Sequence, residues 1–188
     1  IRIEGGNKVS VDERMVHDIV QKVMANMQIS GSVSGMHGVF KDMNDAINAS
    51  IEAQKKVCTM TLDQREQIIS LIRKKTHENA EILANMGVNE TGMGNVGDKI
   101  LKHHLTADKV PGTEDISTIA WSGDRGLTLV EMGPFGVIGA ITPATNPSET
   151  VICNCIGMLA GGNTVVFNPH PNAKKTTIYT INMINEAS

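Results

Sequence analysis

The stretch GVIGAITPATNPSETVICNCIGMLAGGNTVVFNPHPNAKK, residues 136–175, decides the fold. GVIGAIT (136–142) is a short apolar run of the kind found in strands buried on both faces. Pro147 suits the first turn of a helix, which continues through Ile152, Ile156 and Leu159. Gly161-Gly162 stops it. NTVVFN (163–168) is a second buried strand, and a second helix is expected over 172–186. Strand, helix, strand and helix with tight connections make a βαβα unit, whose two strands should run parallel. In open parallel sheets, ligands sit beyond the carboxyl ends of the strands. Those ends are TPATNP (142–147) and NPHP (168–171), so the candidate site lies at these two loops.

Upstream, the pattern is helical. Val39, Phe40, Met43, Ala46, Ile47, Ile51 and Val57 make one helical stripe. Thr61 opens a second, long helix, with Gln64 as a capping partner. Its expected buried side is Leu62, Ile68, Ile69, Leu71, Ile72, Ala80, Leu83 and Met86. A third helix is expected over 98–107 and a fourth over 115–121, before LTLVEM (127–132) alternates as a strand. GMGNVG (92–97) matches the dinucleotide pattern G-x-G-x-x-G, but that pattern requires a strand before its first glycine. Here it is entered from a long amphipathic helix. It therefore reads as a helix–helix connector whose glycines supply positive φ.

The front of the chain differs. Met15, Val16, Ile19, Val20, Val23, Met24 and Met27 form an amphipathic stripe, followed by the Gly/Ser-rich ISGSVSGMHG (29–38). The expected organisation is a docking helix with its lead-in over 1–28, a flexible linker over 29–38 and the main domain over 39–188.

Composition narrows the class. Of 188 residues, 40% are hydrophobic and 20% charged, as in a soluble globular protein. Aromatics make up 3% and there are 11 methionines, so the core should be aliphatic and thioether-rich. A net charge of −3 offers no electrostatic footprint for nucleic acid. No apolar run approaches a membrane span, and no secretory signal opens the chain. Three cysteines without regular spacing suggest a reducing, cytoplasmic setting. Cys153 and Cys155 fall in one helix, roughly 200° apart, and read as small buried hydrophobes rather than metal ligands. Cys58 is assigned no role, and no metal site is expected.

Within the loops, Asn146 has two readings. Its carboxamide either caps the following helix, which its place before Pro147 favours, or donates an N–H to a developing oxyanion. His170, beside Asn168 in a proline-stiffened turn, is either a surface turn residue or a contact for a ribose or phosphate.

GPFGVIGAITPATNPSE, followed by a helix and GGNTVVFNPHPNAKK, resembles the aldehyde dehydrogenase superfamily, and most closely its CoA-acylating branch. The N-P-H-P turn marks that branch, and NETG (89–92) also looks like the family, so the resemblance covers roughly 39–188. It implies an α/β fold: an N-terminal helical region, then the first βαβα of an incomplete Rossmann-like sheet. It also implies oxidation of a short-chain aldehyde, such as acetaldehyde or propionaldehyde, through a cysteine thioester, with NAD and coenzyme A. Asn146 matches the family's oxyanion-stabilising asparagine. Thr142, Pro143, Ala144, Thr145, Asn168 and His170 match positions lining the nucleotide groove. The nucleophilic cysteine is expected beyond residue 188. Homo-oligomers are expected, and the front helix, residues 12–28, resembles peptides that bind shell or scaffold proteins of bacterial microcompartments. The competing expectations are a non-catalytic interaction module and an NAD-binding protein of another class that uses GMGNVG.

Overall fold

A computed structural model describes residues 37–187. The expected docking helix (12–28) lies outside the described residues, as does the linker except for its last two positions. The order is α1 (Met43–Val57), α2 (Leu62–Thr91), α3 (Val96–Lys109), a 3-10 turn (Thr113–Asp115), β1 (Ile119–Gly123), β2 (Gly126–Val130), β3 (Val137–Thr142), α4 (Pro147–Ala160), β4 (Thr164–Pro169), a second 3-10 turn (Pro171–Ala173) and α5 (Lys174–Asn185).

Local chemistry sets these boundaries. Thr61 and Gln64 form the expected capping box on α2: Thr61 Oγ1 accepts from Gln64 N–H at 3.2 Å, and Gln64 Oε1 accepts from Thr61 N–H at 2.9 Å. α2 ends at Gly92, whose φ of 69° is left-handed, and Gly94 repeats this at 77°. Asn95 then caps α3 by accepting from Asp98 N–H at 2.8 Å. GMGNVG is thus a helix connector, and among the described residues no strand precedes it. Arg73 closes the other end of α3, donating to the carbonyls of Ala107 at 2.5 Å and Val110 at 2.9 Å.

β3 and β4 pair in parallel, from Val137 opposite Thr164 to Thr142 opposite Pro169. Asn163 fixes the start of this sheet. Its Oδ1 accepts from the N–H groups of Phe135 and Gly136 at 2.6 and 2.9 Å, while its Nδ2 donates to Met158 O. α1 is tied to the same end: Gln54 donates to Gly162 O at 2.8 Å and accepts from Thr164 N–H at 2.7 Å.

The core joins Ile69, Ile72 and Leu83 of α2 to Val151, Ile152, Ile156 and Ala160 of α4 and Met183 and Ile184 of α5. Burying each large aliphatic side chain contributes about 1.5–3 kcal/mol. Two members of the expected α2 face are wrong: Leu62 and Leu71 are exposed. Leu71 follows buried Ile69 by two positions, roughly 200° around the helix, so both cannot face the core. Thr76 takes a core position instead, its hydroxyl donating to Ile72 O at 2.8 Å. On α1, Met43, Ile47 and Ile51 also remain exposed.

The helix expected over 115–121 is corrected. Residues 119–123 are a strand, paired antiparallel with β2 through a two-residue turn at Asp124-Arg125. Ile119 and Trp121 alternate with Ala120 and Ser122 at period two. The strand expected from LTLVEM is β2, one residue earlier at its start and two shorter at its end; every residue of the hairpin is exposed.

Candidate functional site

Because Thr142 pairs with Pro169, the two strands end side by side. The loops 142–147 and 168–171 therefore leave the same edge of the sheet, and the expected site residues are brought together there. Pro143, Thr145, Asn168 and His170 are exposed, and Asn146 is half-buried. Thr142 and Ala144 are buried, and the Thr142 hydroxyl has no hydrogen-bond partner among the described residues.

Asn146 holds the cap position of α4 but makes no side-chain capping bond. The capping reading is therefore corrected. The reason lies 44 residues upstream: Lys102 Nζ donates to Asn146 Oδ1 at 2.6 Å. Asn146 Nδ2 is left near Thr145 Oγ1 at 3.5 Å, the outer limit of a hydrogen bond.

α3 presents Lys99, Lys102 and His103 to this loop at i, i+3 and i+4, the spacing of one helix face. Lys99 Nζ donates to Thr145 O at 3.1 Å and stands 3.5 Å from Glu149 Oε1, an ion pair rather than a tight hydrogen bond. Both side chains are almost fully buried, at 6% and 5% exposure. Removing either partner would strand a buried charge, at a cost of about 3–5 kcal/mol. His103 Nδ1 meets Lys99 O at 2.7 Å, and its Nε2 meets Ser148 Oγ at 2.7 Å. Burial pulls the imidazole pKa below its usual 6.5, against the raising effects of the Glu149 carboxylate and the Lys99 carbonyl. Burial favours the neutral ring, in which Nδ1–H donates to Lys99 O and Nε2 faces the Ser148 hydroxyl. That hydroxyl also lies 3.2 Å from Glu149 Oε2 as a donor. Ser148 and His103 have the contact of a nucleophile and its base, but exposures of 1% and 0% close them to substrate. Their work is to hold the loop. Sequence reading missed this group. Its signal was the i, i+3, i+4 spacing, which does not say which loop the face meets.

At the second loop, His170 Nδ1 accepts from Asn172 N–H at 3.1 Å. In the neutral ring this leaves the proton on Nε2, an exposed donor suited to a hydroxyl or phosphate oxygen. The N-terminus of α5 is already taken. Glu90, from the NETG stretch, accepts from the N–H groups of Lys175 and Thr176. A nucleotide here would meet neutral side-chain donors at Asn168 and His170 rather than helix N–H groups, a set that fits ribose hydroxyls.

The cysteines are poor nucleophiles for this site. Burial raises the thiol pKa of Cys153, and pushes that of Cys155 up to about 12. Cys58 is exposed, but it accepts from Gln54, the residue that binds the start of β4. A six-residue strand, roughly 20 Å at ~3.3 Å per residue, separates that start from the site. A cavity of about 670 Å³ lies against α1, β4 and α5, and of the site residues only Asn168 lines it. No described helix is long and apolar enough to cross a membrane.

Comparison with known proteins places this geometry. The family model described as "Aldehyde dehydrogenase family" matches residues 10–188. An acetaldehyde dehydrogenase (acetylating) of Bilophila wadsworthia is 46% identical over 184 residues, 93% of this chain and 38% of that protein. Among solved structures, a propionaldehyde dehydrogenase from the Clostridium phytofermentans fucose utilisation bacterial microcompartment is 75% identical, with a TM-score of 0.78, over 80% of this chain and 35% of that one. A Rhodopseudomonas palustris propionaldehyde dehydrogenase, solved with bound CoA and an acylated cysteine, is 47% identical at a TM-score of 0.77, over 80% of this chain and 35% of that one. An engineered glycolyl-CoA reductase with bound NADP+ is 45% identical at a TM-score of 0.78, over 81% and 35%. The chain thus spans little more than a third of the length of these relatives.

Proposed function

The chain belongs to the aldehyde dehydrogenase family, and on that premise we propose that it is the N-terminal part of a CoA-acylating aldehyde dehydrogenase. The enzyme oxidises a short-chain aldehyde, acetaldehyde or propionaldehyde, to the acyl-CoA. The observation that carries this reading is Asn146: relieved of capping, held by Lys102 and set at the end of β3 beside the N-P-H-P turn.

A cysteine from another part of the enzyme is the nucleophile. Its thiolate adds to the aldehyde carbon, and the carbonyl electrons move onto oxygen. The Asn146 carboxamide donates an N–H to that oxyanion. Bound NAD would supply the hydride acceptor for thioester formation, and the acyl group would then pass to the thiolate of the co-substrate CoA, with the cysteine thiolate as leaving group. Asn146 stabilises the oxyanion of both additions. Asn168 and His170 hydrogen-bond the nucleotide end of NAD and then of CoA, with Thr142, Pro143, Ala144 and Thr145 forming the adjoining wall. With uncharged Asn168 at the end of β4, where a cation would be needed to offset a 2′-phosphate, NAD is preferred to NADP.

Residues 12–28 direct the enzyme to a shell or scaffold protein of a microcompartment. Deleting residues 1–35 would end that association and leave the body folded; a large drop in the melting temperature of the body would oppose this. The exposed apolar residues Trp121, Leu127 and Leu129 of the hairpin support assembly into a homo-oligomer, which light scattering measures.

The test of the activity is product analysis on the full-length enzyme with propionaldehyde or acetaldehyde, NAD and CoA. NADH and acyl-CoA should form in equal amounts. Free carboxylic acid as the product, formed equally well without CoA, would overturn the acylating assignment.

A further inference from the structure

Lys102 plays no part in the scheme above beyond its contact with Asn146. An ammonium group has three donors and no acceptor, so the carboxamide atom it meets at 2.6 Å must be the oxygen. That contact fixes which way round the carboxamide sits, a choice that Asn side chains otherwise leave open. Nδ2 is thereby turned to the other side, where the 3.5 Å approach of Thr145 Oγ1 leaves it able to donate. The base of Lys102 is itself held. One residue behind it, Lys99 O and Ser148 Oγ clamp His103; three residues before it, Lys99 Nζ grips Thr145 O. Helix and loop are therefore in fixed register where Lys102 crosses between them. Its charge also draws electron density toward Oδ1, which strengthens the N–H as a donor.

We propose that Lys102 is a positioning residue that orients and polarises the Asn146 carboxamide so that Nδ2–H faces the reacting oxygen. This rests on the oxyanion role assigned to Asn146 above, and the test separates the two. In the full-length enzyme, Lys102→Met should lower kcat about tenfold, a fraction of the loss expected for removing the donor itself. KM for NAD and CoA should stay within about twofold. Lys102→Arg, which also offers only donors, should recover most of the rate. The Lys102→Met/Asn146→Ala double variant should be no slower than Asn146→Ala alone, because Lys102 acts through that side chain. A Lys102→Met enzyme at the wild-type rate, or losses that multiply in the double variant, would overturn the proposal. If Asn146→Ala is itself fully active, the oxyanion assignment fails instead. Crystal structures of the full-length wild type and Lys102→Met give a readout apart from turnover. The carboxamide should be rotated or split between two orientations in the variant, and an unchanged single orientation would contradict the positioning role.

Discussion

Glu90 sits on the N-terminus of the helix that begins beside Thr176. Its Oε2 accepts from both Thr176 N–H and Thr176 Oγ1 at 2.7 Å, while Oε1 accepts from Lys175 N–H at 2.7 Å. The carboxylate caps α5 from α2, 86 residues earlier, and places a negative charge at the positive end of the helix dipole. Glu90→Ala should therefore destabilise the protein by about 1–2 kcal/mol, read as a lower urea midpoint. An unchanged midpoint would show that the helix end is satisfied without it.

The buried His103 predicts a pH dependence. Its folded pKa is lowered from 6.5 by burial, so the unfolded chain binds its proton first as pH falls. The contribution is present above about pH 6.5 and is lost as pH drops through that value toward the lower folded pKa. Urea midpoints should fall between pH 8 and pH 5.5, and His103→Gln should flatten that fall. An equal pH dependence in the two proteins would remove His103 as its source.

His170 offers Nε2–H from a turn fixed by its own Nδ1 bond to Asn172. His170→Ala in the full-length enzyme should weaken both NAD and CoA several-fold and leave the aldehyde KM nearly unchanged. Competition kinetics examine the same groove, and CoA should compete with NAD. Absence of competition, or a variant that alters neither ligand, would contradict a shared nucleotide end.

The βαβα unit was legible because its signals are local: two short apolar runs, Pro147 at the helix start and Gly161-Gly162 at its end. The connector at GMGNVG was legible for the same reason, since the residues before Gly92 are helical. Of the hairpin, the alternation of LTLVEM made β2 legible, whereas 119–123 was misread as helix, because its strand buries neither face. Leu71 misled as an apolar residue on the wrong side of α2, where buried Thr76 does core duty with its hydroxyl satisfied in its own helix. Within the site, the loop residues could be found from strand ends and proline spacing. Their partners could not: Lys102 reaches Asn146 across 44 positions, and Glu90 reaches Thr176 across 86. Asn before Pro signals a cap only while no distant cation claims its oxygen.

The most direct measurement on the site as a whole is the steady-state kcat of Asn146→Ala in the full-length enzyme, with CoA as acceptor, beside its melting temperature. Asn146 makes no capping bond, so the melting temperature should stay near wild type. Loss of one oxyanion donor should lower kcat by about 10²-fold or more, with NAD affinity little changed. A near-normal kcat in a stably folded variant would contradict the assignment.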